Sequence, residues 1–200
     1  MRKLGVFVLV AGIAAALTGC DTEDAPVATP AAPGTSTTAP TSTTSTFVER
    51  SGEVPTDSTP KSGQASPGAA LTVTDIRIAH EAGFDRVVYT LGGSGTPGWK
   101  VAYTDSAVQD GSGRPVEVAG ESILEVRILG SAYPFDSVVP PYDGPDPVTD
   151  PAAPAITGVY KSLVYEGVTQ SFIGIGAGSP PFAVTALADP PRVVVDIATR

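Results

Sequence analysis

Cysteine, histidine and tryptophan each occur once in this chain of 200 residues. A single cysteine excludes a disulfide framework within the chain, so whatever folds here rests on its apolar core alone. One cysteine and one histidine are too few for an ordinary zinc site. Positive charge is also scarce, with 12 Lys and Arg against 21 Asp and Glu and a formal net charge of −9. That balance argues against a nucleic-acid partner, and against binding anionic lipid or wall polymer by bulk electrostatics. Long apolar runs are missing too. The longest, Leu4 to Leu17, has roughly 14 residues where a membrane-spanning helix needs about 20.

That run follows Arg2 and Lys3 and ends in Leu17-Thr18-Gly19-Cys20. A short basic start, a brief apolar stretch and small residues before a break are the features of a secretory signal. The final four residues resemble a bacterial lipobox. The resemblance implies that the Cys20 thiol receives a diacylglycerol, that residues 1–19 are removed, and that Cys20 becomes the mature N-terminus. Two acyl chains give stable membrane attachment, where one would be marginal. The expected location is the extracytoplasmic face of the cell membrane.

Residues 20–70 are rich in Thr, Ser, Pro and Ala, as in TPAAPGTSTTAPTSTTSTF. Such a stretch buries too little to offset about 1–2 kcal/mol of backbone ordering entropy per residue. It reads as a disordered stalk, whose Thr runs suit either a plain linker or an O-glycosylated one. Fully extended it would reach on the order of 150 Å.

From Leu71 to Arg200 the pattern is that of one domain, about 130 residues long, with one core. LTVTDIRI (71–78) reads as a strand whose alternation changes phase near Asp75, which implies a bulge. FDRVVYTL (84–91) puts Val87, Tyr89 and Leu91 on one face. GWKVAYT (98–104) puts Trp99, Val101 and Tyr103 inward, and ILEVRIL (123–129) separates Leu124, Val126 and Ile128 from Glu125 and Arg127. PVEVAG follows the turn Asp110–Gly113, and VYKSLVY, TQSFIGI, PFAVTAL and RVVVDI complete the series. Roughly nine short strands without a helical period predict an all-β fold, a small sandwich or barrel.

Three of these segments, LTVTDIRI, FDRVVYTLGGSGTPGWKVAYTD and EGVTQSFIGIGAGSPPFAVTALADPPRVVVDI, resemble the AMIN-like domain of actinobacterial lipoproteins. The closing PPRVVVDI is also similar to the last strand of the AMIN domain of cell-wall amidases. The resemblance implies a non-catalytic β-sandwich of the cell envelope that contacts peptidoglycan or helps to localise its protein. No amidase catalytic segment accompanies it in these residues.

No motif in the chain points to catalysis. His80 lies beside Glu81 at a strand end and reads as a solvated side chain. No serine sits in a G-x-S-x-G setting. Asp143, Asp146 and Asp150 lack the spacing of a calcium loop. Gly174, Gly176 and Gly178 are followed by Pro180 and Pro181 rather than by the helix a phosphate loop requires. Arg192 and Asp196 are expected to pair with charges on neighbouring strands, Asp85 and Arg86 being the partners at hand. The feature with most bearing on function is the long segment Ser131–Ile156. It carries Tyr133, Phe135 and Tyr142 as candidate ligand-binding aromatics, and it serves equally to cover an open sheet edge. The expectation is therefore a lipid-anchored module that uses no cofactor or metal and binds peptidoglycan or another wall glycan. The alternatives are an adaptor for an envelope protein partner, or a hydrolase whose paired carboxylates meet only in space. Cys20→Ala should abolish metabolic labelling with a fatty acid and leave the chain unprocessed at that site; continued labelling refutes the anchor.

Overall fold

The computed structural model describes residues 52–199, apart from the side chains of Lys161 and Ser162. The signal, Cys20 and the first part of the stalk lie outside the described residues. Among the described residues, nine strands form two antiparallel sheets: β1 (Lys61–Gly63), β2 (Ala70–Glu81), β3 (Phe84–Ser94), β4 (Gly98–Thr104), β5 (Ser122–Leu129), β6 (Ile156–Tyr165), β7 (Val168–Ile175), β8 (Phe182–Ala188) and β9 (Pro191–Ala198). One sheet has the order β1-β4-β5-β7-β6 and the other β2-β3-β9-β8. The sheets stay separate, so the fold is a sandwich and not a barrel.

Alternation dictates the core. Val87, Tyr89 and Leu91 of β3, Leu124, Val126 and Ile128 of β5, Ile173 and Ile175 of β7, and Val193, Val195 and Ile197 of β9 are buried between the sheets. The expected bulge is present, as a register shift between Val73 and Asp75 in the β2–β3 pairing. One polar tie crosses this core. The Tyr89 hydroxyl donates to Ser171 Oγ at 3.0 Å, and Ser171 in turn donates to Tyr160 O at 2.7 Å. Burial pushes the Tyr89 phenol well above its ordinary value, and the Ser171 contact opposes this only in part.

Two sequence expectations are corrected. PVEVAG forms no strand; its ladder contact is a single bridge between Val108 and Pro115. The ninth strand is β1, which lies inside residues 20–70, the stretch assigned to the stalk. Its three residues are too short to show a period. They are held by pairing with Trp99–Val101 and by the Trp99 indole, which lies so close over Gly63 that a Cβ there would sit 2.3 Å from the ring. Upstream, Gly52 approaches Arg86 and Asp196, Pro55 is buried, and Asp57 O accepts the Phe182 N–H. Residues 52–63 therefore form a strap across both sheets, despite their stalk-like composition.

The strap covers a buried ion pair on the outer face of the four-stranded sheet. Arg86 and Asp196 are cross-strand neighbours. Arg86 Nε and Nη2 donate to the two Asp196 oxygens at 2.6 and 2.9 Å. Neither side chain is more than 11 % exposed. Removing either partner by Arg86→Ala or Asp196→Ala should cost about 3–5 kcal/mol, because the bidentate pairing that offsets the desolvation of the remaining charge is lost. The double variant Arg86→Met with Asp196→Leu should recover most of that loss. Urea denaturation of the four chains checks both outcomes.

Candidate functional site

The long segment after β5 does two jobs. Its first part seals the β2 edge: Leu71 N–H donates to Gly130 O at 2.9 Å, while Leu71 O and Val73 O accept from Ala132 and Tyr142 at 2.8 Å. Farther on, Val148 exchanges two backbone bonds with Val159 of β6. The segment thus laces the edges of both sheets. Tyr142 belongs to this lacing. Its ring packs against the core, and its hydroxyl donates to Pro145 O. Desolvation, reinforced by Asp75, Asp146 and Asp143, pushes its phenol upward.

Between those anchor points the chain presents its aromatics. Tyr133 and Phe135 stack with ring centroids 5.1 Å apart and planes 9° from parallel. Phe135 is 81 % exposed and Val138 fully exposed. The pair is held in place by the β6–β7 turn, where Glu166 N–H donates to the Tyr133 hydroxyl at 2.9 Å. This two-residue turn has positive φ at both Glu166 and Gly167, the geometry that matches the twist of a tight hairpin.

Tyr165, 42 % exposed, adjoins the pair. The Glu166 carboxylate raises its phenol by charge and by a hydrogen bond, with burial, Tyr133 and Asp110 adding smaller effects. Tyr165 lies against Gly111, whose φ of +74° and 2.7 Å clearance for a Cβ leave room only for glycine.

A polar cluster continues from this rim onto the outer face of β5 and β7. Arg127 donates to Asp110 at 2.5 Å and to Glu125 at 3.0 Å. Both carboxylates hold its guanidinium further into the charged state, Asp110 more than Glu125. Gln170, almost fully buried, accepts the Asp110 N–H and donates to Val108 O and Glu125 Oε1 at 2.9, 3.0 and 2.7 Å. This carboxamide pins the β4–β5 loop over the sheet.

Of the candidate ligand-binding aromatics, the structure brings Tyr133 and Phe135 together and puts Tyr142 on the β2 edge. Sequence reading missed Tyr165, Asp110, Arg127 and Gln170 as companions. The outward alternation of Glu125 and Arg127 was the one available hint.

The other candidates have structural roles. His80 Nδ1 lies 2.6 Å from Asp85 Oδ1, and the fully buried Asp85 also accepts the Ala155 N–H at 2.7 Å. This pair moors the loop ahead of β6, so His80 is more than a solvated side chain. Gly178 N–H is already taken by Glu121 Oε2 at 2.9 Å. A cleft of about 330 Å³ is lined by Pro154, Ala155, Gly176, Ala177, Pro180, Ala198 and Thr199, none of them an acid or base. Among the described residues no three His, Cys, Asp or Glu side chains converge as metal ligands.

The family model described as the AMIN-like domain matches residues 71–199 of this chain. No curated protein and no solved structure matches it.

The aromatics and their support should separate by stability. Phe135→Ala and Tyr165→Ala should each stay within about 0.5 kcal/mol of the parent in urea denaturation, being surface truncations. Gln170→Ala should cost about 1–3 kcal/mol, because it strands the Asp110 N–H and the Val108 carbonyl.

Proposed function

Since the chain belongs to the AMIN-like domain family, we propose that it is a non-catalytic binding module of the cell envelope. In this reading diacylglyceryl Cys20 holds it at the membrane, and its domain contacts peptidoglycan or another wall polymer. The observation that carries the reading is the Tyr133–Phe135 stack with Tyr165 at its side, bordered by Asp110, Glu125 and Arg127. Flat aromatic faces supply large contact area at low entropic cost, and the adjoining polar groups supply hydrogen bonds. Attraction of this kind does not depend on net charge, which suits a chain at −9. The rings are preorganised by the β6–β7 turn, so little ordering remains to be done on binding.

A protein partner is the second reading. It is favoured by the full exposure of Val138 beside the aromatics, since exposed apolar groups at a patch mark contact sites.

The test is co-sedimentation of residues 21–200 with purified, protein-free peptidoglycan. Saturable binding is expected, weakened about tenfold or more by Phe135→Ala with Tyr165→Ala, a factor equivalent to about 1.4 kcal/mol. Binding unaffected by the double variant would remove the site from this face. Absence of binding would overturn the wall reading and favour the protein partner.

A further inference from the structure

The two sheets end in four edge strands, β1 and β6 in one and β2 and β8 in the other. Open edges invite pairing with another chain, and proteins guard them with short strands, charges, irregularities or covering loops. Three edges here are guarded. The segment after β5 covers β2. β6 is bridged by Val148 and loses register between Lys161 and Val164. β1 is three residues long and carries Lys61.

Among the described residues, β8 is covered only at its first residue, where Asp57 O takes the Phe182 N–H. Its sequence, FAVTALA, contains no charge and no proline. The phase of its backbone follows from two bonds: Ala198 N–H donates to Pro181 O, and Phe182 N–H donates away from β9 to Asp57 O. Odd-numbered residues of β8 thus bond to β9, and even-numbered residues present their N–H and C=O groups outward. Asp57 fills the Phe182 position. Among the described residues, no backbone group pairs with the outward groups of Val184 and Ala186.

We propose that β8 pairs antiparallel with β8 of a second copy about a two-fold axis at Thr185, joining two four-stranded sheets into one. The occupant is a second copy because the strand is self-complementary in this register. Val184 faces Ala186 twice over, so two reciprocal pairs of hydrogen bonds form. Exposed Thr185 meets its own equivalent, a favourable cross-strand pair. In a chain of net charge −9 self-contact is repulsive over most of the surface, but a neutral strand avoids that repulsion. The pairing is confined to the Val184–Ala186 stretch, because at Phe182 the Asp57 backbone already takes the outward N–H and the Asp57 carboxylate is ion-paired with Lys61. Such an interface is isologous and closes at two chains.

The chain in density-matched detergent should sediment at twice its single-chain mass. Thr185→Lys puts like charges face to face on an exposed position and should return it to a single chain mass with an unchanged circular dichroism spectrum. In a Cys20→Ala background, Thr185→Cys should yield a linked dimer on copper–phenanthroline oxidation. Residues facing each other in this register stand about 4.5 Å apart, within disulfide reach. Ala183→Cys, whose equivalents lie far apart in this register, should not cross-link. A parent chain of single mass overturns the proposal, whether or not a foreign strand then binds the edge. A dimer indifferent to Thr185→Lys, or equal cross-linking of both cysteine variants, overturns it too.

Discussion

The structure depends on the Arg86–Asp196 pair more than on any one apolar contact. Apolar residues tolerate a sliding strand as long as burial is kept. A bidentate ion pair does not, because its desolvation is offset only when both oxygens meet both nitrogens. Arg86 and Asp196 face each other across β3 and β9, so a slip of two residues, the smallest that keeps the apolar face buried, would set Arg86 against Val194 or Ala198 and Asp196 against Phe84 or Val88. The pair also needs a lid. Gly52 supplies it from one side, and Phe84, with the guanidinium 5.1 Å above its ring, supplies backing from the other. A strap of otherwise unremarkable polar residues is thereby drawn into the fold. The preceding residue, Asp85, points to the opposite face and moors Ala155. Two adjacent charges on one strand thus hold both the start of the described chain and the far end of the long loop.

Strands with a clear alternation, such as β4 and β5, were legible from sequence because period 2 is imposed by the pleat. So was the bulge at Val73–Asp75, where the phase breaks, and so was the pairing of Arg86 with Asp196. β1 was not legible, since three residues carry no period and its glycine is explained only by an indole from another strand. β7 was blurred for a different reason. Gln170 and Phe172 face outward yet are buried, Gln170 beneath the β4–β5 loop, and nothing in TQSFIGI announces a covered outer face. The site followed the same division. Tyr133 and Phe135 stood out in the sequence as aromatics of the long segment, but their stacking was not legible there. Tyr165 and Asp110 join them only through the hairpin turn and the loop fold, contacts that no spacing encodes.

Edge cover and ligand contact looked like competing readings of the segment after β5; the structure shows the edge cover and leaves Phe135 exposed for the proposed contact. Backbone bonds to Leu71, Val73 and Val159 fix the segment at intervals. Between the fixed points, Tyr133 is restrained by Glu166 and Phe135 by Tyr133. A loop that had only to seal an edge would gain nothing from leaving Phe135 and Val138 in water. A loop that had only to bind would pay more entropy on binding if its ends were loose.

The placement of these two features gives the second copy a functional consequence. The aromatic and polar face lies on the β5–β7–β6 side of the five-stranded sheet, whereas β8 is the edge of the four-stranded sheet. The proposed pairing through β8 would leave both aromatic faces uncovered and hold them at a fixed separation. Two weak sites on one rigid body act at a high effective concentration toward a repeating polymer, and avidity then exceeds the affinity of either face without any new contact. If the ligand is the repeating wall polymer proposed above, a rigid pair would present two such platforms to it at once.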